Sequence, residues 1–216
     1  MDSTKKVSEK VEIPIIIEKT EQQRTMSQIL QLVNMDSFTD LGILADTSFQ
    51  KDDSSANEEV TFVVQESEFT LSKDVLKAKS ALFAELFIQK PSSRYILTKV
   101  KPKVFSTVFE FIKTSKISSE LSEDAAEILE TAHKLEISSL KDISEDYLAN
   151  NLSNDNATSV LLLADQTNCR QLKLAVMQFI AKHCPNLVDS NEFQRIVQHR
   201  PKLGLELFKF VQNCLQ

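Results

Sequence analysis

At 216 residues, with 26% charged and 42% hydrophobic side chains, the chain has room for one main core and a smaller companion, not for several independent domains. A net charge of −6 and a pI near 5.2 argue against nucleic-acid binding, since no long Lys/Arg cluster offsets the repulsion of a phosphate backbone. No apolar run approaches the roughly 20 residues of a membrane helix, and Pro14 interrupts the only early apolar stretch, Ile13 to Ile17, so neither a membrane span nor a secretion signal is expected.

The three cysteines, Cys169, Cys184 and Cys214, are odd in number and form no C-x-x-C pair, which suggests neither a disulfide framework nor a zinc site. A reducing compartment, nucleus or cytoplasm, fits that usage. With only Gly42 and Gly204, the chain cannot build a Gly-rich phosphate loop, and it reads as mostly helical.

Residues 1–36 lack the patterning of a folded unit and are expected to be a flexible arm. A first helix is predicted from Asp40 to Ala45, ending near Phe49, with Leu41 and Leu44 on one face at i, i+3 spacing. The acidic, Ser-rich stretch from Lys51 to Glu59 reads as a solvated loop. Val60 to Val64 and Glu68 to Leu71 are β-branched and aromatic runs around a polar break, which predicts a hairpin. From Ser72 the period becomes helical through Val75, Leu76, Leu82, Phe83, Leu86 and Phe87, with Ser80 as a restart cap between two helices.

Tyr95 to Leu97 forms a brief third strand, and Pro102 suits the first turn of a helix carrying Val104, Phe105, Val108, Phe109 and Ile112. Ser122 opens the next helix, with Ala125, Ile128, Leu129 and Ala132 as its apolar face, and another helix follows from Ser138. Beyond Asn150 the pattern is helical throughout, with starts capped at Ser153 and Asn168 and amphipathic runs to Val211. The expected organisation is an arm at 1–36, an α+β domain at 37–150 and an all-α extension at 151–216.

None of the chemistry-bearing residues forms a catalytic set. His133 has no second ligand in a convincing position on its helix, and His183 and Cys184, as neighbours on a helix, diverge by about 100° and cannot act as base and nucleophile. Glu123–Asp124 and Glu145–Asp146 diverge in the same way. The thirteen phenylalanines, without Trp or interleaved basic patches, read as core and not as a base-stacking platform. No catalytic residue, metal site or cofactor is expected.

Val60 to Val64, Phe69, and the run Val75-Leu76-Lys77-Ala78-Lys79-Ser80-Ala81-Leu82-Phe83-Ala84-Glu85-Leu86-Phe87 together resemble the opening signature of the BTB/POZ family. The likeness continues through Phe105, Phe109, Phe111 and Lys113-Thr114, then Ala126 to Ala132, Leu140 and Leu148. Residues 152–211 are similar to the BACK-like (3-box) helical extension of the speckle-type POZ (MATH-BTB) family, through Leu152 to Ala157, Leu161 to Asp165 and Leu172-Lys173. The resemblance implies an α+β BTB/POZ fold followed by that extension, without a MATH domain.

It also implies a dimer through Leu41, Leu44 and Val75, as homodimer or as heterodimer with other BTB proteins, and a cullin-binding region at Leu86, Phe87, Ile88, Leu161 and Leu162. A non-enzymatic adaptor of a cullin-RING ubiquitin ligase is the expected function; a dimerising scaffold, decoy or corepressor partner without cullin is the alternative. Departures from the family pattern are Ser72 in place of a histidine, Lys113-Thr114-Ser115 in place of a Tyr-Thr-Gly turn, and a short basic segment at 88–94 where cullin-binding members carry a longer acidic one.

Overall fold

The computed structural model describes residues 38–46, 59–117, 121, 124–183 and 190–214. The expected arm at 1–36, the Ser-rich stretch at 51–58, Ser122, Glu123 and Cys184 lie outside the described residues. In chain order the elements are a helical turn at 38–41 (α1), then β1 (Ile43–Ala45), β2 (Glu59–Val64), β3 (Ser67–Ser72), α2 (Lys73–Lys79), α3 (Ala81–Gln89), β4 (Arg94–Leu97) and α4 (Pro102–Thr114). They continue as α5 (Ala125–Lys134), α6 (Ser138–Asn150), α7 (Ala157–Gln166), α8 (Arg170–His183), α9 (Asn191–His199) and α10 (Pro201–Cys214). The architecture is α+β, a small mixed sheet with helices followed by a wholly helical extension.

The alternation in β2 decides the sheet: Val60, Phe62 and Val64 point inward and are fully buried, while Thr61 and Val63 face out. β3 returns antiparallel through the two-residue turn Gln65-Glu66, in register from Val64↔Ser67 to Glu59↔Ser72. β4 lies parallel to β2, and β1 closes the far edge antiparallel to β4, giving the order β1-β4-β2-β3.

The helix predicted over Asp40 to Ala45 is corrected. The chain makes a single helical turn, then Gly42 takes φ +63° and the backbone extends into β1. A side chain at Gly42 would be strained at that φ, and its Cβ would also lie 2.1 Å from Thr98 Oγ1. The backbone groups that a helix would have satisfied find the sheet instead, with Thr98 N–H donating to Gly42 O. Local propensity lost to a strand partner far along the chain.

Ser80 caps α3 by accepting from Phe83 N at 3.3 Å, and its hydroxyl donates to Leu135 O, so the restart predicted there is also a tether to the end of α5. Pro102 opens α4, whose C-cap Ser115 sits in the left-handed region. The caps expected at Ser153 and Asn168 are corrected. Ser153 N–H donates to Asn156 Oδ1 in a turn before α7, and Asn168, at φ +54°, precedes the start of α8 by two residues.

Two cores result. The first packs Phe62 against Phe83, Tyr95 and Phe105 with centroids 5.3–5.8 Å apart, and Phe69 against Phe105 at 5.1 Å. The second is built on Leu161, Leu172, Val176, Ile180, Leu203 and Leu207. Helix α5 is a wall shared by both: Ile128 and Ala132 enter the first core, Ala125 and Leu129 the second. The apolar residues expected to form one face of this helix are thus divided between two neighbours, as i, i+4 pairs offset around the axis allow.

Candidate interaction surface

The outer face of the sheet follows from the same alternation that fills its inner face. Leu44, Ile96, Val63 and Glu68 are in register across the four strands, and Leu44 is 57% exposed at the edge of that row. On the neighbouring row Arg94 donates to Glu68 Oε1 at 2.7 Å and lies 3.6 Å from Asp46. Val75 is exposed on the outward side of α2, beside Asp74 and Lys77, which pair at 3.7 Å.

Of the three residues expected at a dimer contact, Leu44 and Val75 are therefore on the surface. Leu41 is not: it is 1% exposed inside the first core, because the turn before Gly42 drives it under the sheet edge. It is withdrawn from that surface, and the shared interface helix expected for Leu41 and Leu44 is replaced by a turn and a strand.

The residues expected to bind cullin divide similarly. Leu86 and Phe87 belong to the first core, Leu161 is fully buried in the second, and Leu162 is half-buried against it. The inward faces of α3 and α7 place Leu86, Phe87 and Leu161 beneath the surface, while Leu162 remains partly exposed. Ile88 is the opposite case. It is 81% exposed, one residue from the end of α3, where Lys90 and Pro91 stop the helix.

The segment after Ile88 is not the free basic loop that its composition suggests. Arg94 is already matched by two carboxylates, Lys90 Nζ lies 5.4 Å from the Phe38 ring centroid, and Lys90 O accepts from Tyr95 Oη at 2.7 Å. Burial pushes the Tyr95 phenol up to about 12, so it stays a donor to Lys90 O throughout the physiological range.

Two grooves lie elsewhere among the described residues. One, of about 590 Å³, is lined by Asp40, His133, Lys134, Ser138, Lys141 and Thr167 among others. Burial lowers the His133 pKa, and Lys141 and Lys134 lower it further, leaving the ring neutral at neutral pH. The second, of about 870 Å³, lies between the first half of α8 and α10, and sequence periodicity gave no sign of it. Beside it Lys173 Nζ donates to Asp165 Oδ1 at 3.0 Å and to Glu206 Oε2 at 2.6 Å, while Arg200 donates to Asp165 Oδ2 at 2.8 Å.

No group of three metal-ligating side chains occurs among the described residues, and no helix there is long and apolar enough to cross a membrane. Cys169 is buried 3.0 Å from Thr167 Oγ1, and burial with the neighbouring Glu145 pushes its thiol up to about 11, the signature of an inert structural cysteine. His183 packs against Phe179 with centroids 4.7 Å apart and the rings tilted by 33°.

Residues 50–152 match the BTB/POZ domain family. The TD and POZ domain-containing protein 1 of Mus musculus is 32% identical over 153 residues, which is 68% of this chain and 42% of that protein. The TD and POZ domain-containing protein 5 of the same species is 33% identical over 63% of this chain and 42% of its own. The chain thus spans about two fifths of the length of these relatives. Among solved structures, the BTB domain of zebrafish PATZ1 aligns with a TM-score of 0.40 and 28% identity, covering 46% of this chain and 81% of that one.

Proposed function

From the premise that this chain carries a BTB/POZ domain, a protein-interaction module, we propose that it acts as a dimeric adaptor for a cullin-RING ubiquitin ligase, with no reaction of its own. Ile88 carries the reading. Ile88 is 81% exposed at the end of a helix whose other large apolar side chains, Leu82, Phe83, Leu86 and Phe87, are buried, and interface energy concentrates in a few such anchors. Leu44 and Val75 supply a second apolar surface on the same unit for a two-fold contact with another copy or another BTB protein.

Titration calorimetry of the full chain against a cullin N-terminal fragment tests the adaptor role. Binding that Ile88→Glu weakens tenfold or more supports it. Absence of heat with the folded wild type overturns it and leaves the dimerising scaffold, the reading favoured by the α3–β4 connection, whose four residues 90–93 offer little contact area. Dimerisation is tested separately by light scattering: Leu44→Asp or Val75→Asp should shift a dimer to monomer mass, and a monomeric wild type at tens of micromolar overturns that part.

A further inference from the structure

The second groove has features that packing alone does not require. On α8 the inward stripe is Leu172, Val176 and Ile180; Leu174, two residues from Leu172, points some 200° away around the helix and is 44% exposed. It lines the groove with Met177 of the same helix and half-buried Phe210 of α10, so an aliphatic, a thioether and an aromatic side chain form one apolar floor.

Its charges are unequal in kind as well as number. The lining holds three cations, Arg170, Lys173 and Lys209, against two carboxylates, Asp165 and Glu206. Both carboxylates are bound by Lys173, and Asp165 also by Arg200. Arg170 and Lys209 stand exposed at the rim. The first turn of the 14-residue helix α8, which contributes Arg170, Gln171 and Lys173 to the lining, adds the positive end of its dipole. In a chain of net charge −6, this is a local cationic rim around an apolar floor. Its volume of about 870 Å³ lies within the range of built ligand sites.

We propose that this groove docks a short acidic segment of a partner protein, one or two bulky aliphatic or aromatic side chains seated on Leu174, Met177 and Phe210 with flanking carboxylates on Arg170 and Lys209. The site lies on the helical extension, apart from Ile88, Leu44 and Val75, and so does not depend on the adaptor reading. It gives the chain a partner-binding surface of its own in the second unit, with charge selecting the partner and the apolar floor holding it.

The test uses the full chain and two fluorescein-labelled pools of 14-residue peptides, both with a central Leu/Phe pair, one flanked by Asp and Glu and the other by Lys and Arg. Anisotropy should show saturable binding of the acidic pool and at least tenfold weaker binding of the basic one. Leu174→Asp should weaken the acidic pool at least tenfold, and Arg170→Glu or Lys209→Glu about fivefold, with the charge effect shrinking at 0.5 M salt. All three positions are exposed, and circular dichroism checks that each variant folds. Leu205→Asp, at an exposed leucine of α10 outside the groove lining, should leave binding unchanged. No binding by the acidic pool, equal binding of both pools, or indifference to Leu174→Asp overturns the proposal.

Discussion

The two cores of this chain are held by different physics. Around the sheet, Phe62, Phe83, Phe87, Phe105 and Tyr95 make a continuous aromatic cluster, and the ion pairs of Arg94 lie on the outer face. In the extension no buried side chain of the cluster is aromatic, and α10 is joined to α7 and α8 by the charges of Asp165, Lys173, Arg200 and Glu206 as well as by packing. A core that buries large rings close to strands separated in sequence tolerates changes in pH and salt. A helical pair attached partly through carboxylates does not.

The largest effect should come from the centre of the first core. Phe62→Ala removes a ring with three aromatic neighbours from a site with no solvent access, and should cost about 3–5 kcal/mol. Denaturant unfolding followed by circular dichroism measures it. If the loss is under about 1 kcal/mol, the aromatic cluster is not what holds this unit.

Gly204→Ala addresses the other side of the comparison. The backbone of α10 approaches α9 so closely that a Cβ at Gly204 would lie 2.7 Å from Val197 Cγ2 and 3.2 Å from Val197 Cα. The second distance involves backbone and cannot be relieved by a rotamer. Overpacking should outweigh the better helix propensity of alanine and cost about 1–3 kcal/mol. Hydrogen exchange should rise in α9 and α10 while β2 and β4 keep their protection, and equal loosening of both units would mean that they unfold as one.

Next is Asp165. Burial opposes its ionisation, but hydrogen bonds from Lys173 and Arg200 outweigh this and hold its pKa below the ordinary 3.8. A carboxylate with a depressed folded pKa contributes its full stabilisation above the unfolded value and loses it as pH falls through the folded one. The extension should therefore loosen below about pH 4 before the sheet unit does. Asp165→Asn should weaken it by about 1–2 kcal/mol at pH 7 and by less in acid, the difference narrowing as pH falls below about 4, as urea midpoints at pH 7 and pH 3 would show.

How far these features could be read from the sequence depends on the range of the forces that set them. The hairpin, the α2–α3 restart at Ser80, and Pro102 at the start of α4 are local signals, and the structure follows them. The stretch after Asp40 misled because i, i+3 leucines are compatible with a helix, while the strand that forms depends on β4, some fifty residues later. The same limit applies to surface residues. The family resemblance marked Leu41, Leu86 and Leu161 as contacts, yet neither a resemblance nor apolar spacing says whether a given side chain faces its own core or a partner. Leu174 was legible only as one residue of a helical run, since the groove beside it is made by α10, more than thirty residues further along.

The smallest expected effect sharpens the contrast between charges in the two units. Lys90 Nζ sits 5.4 Å from the Phe38 ring centroid, and its side chain is half-exposed, so the contact is worth about 0.5–1 kcal/mol where Asp165 engages two cations. Lys90→Glu replaces attraction to the ring face with mild repulsion but leaves the carbonyl that accepts from Tyr95 in place. Its cost should stay under about 1 kcal/mol and shrink in 0.5 M salt. Paired thermal melts of Lys90→Glu and Asp165→Asn at low and high salt make the comparison directly. A Lys90 penalty as large as that of Asp165 would show that the sheet unit also depends on charge to hold its first turn, and the division drawn between the two cores would fail.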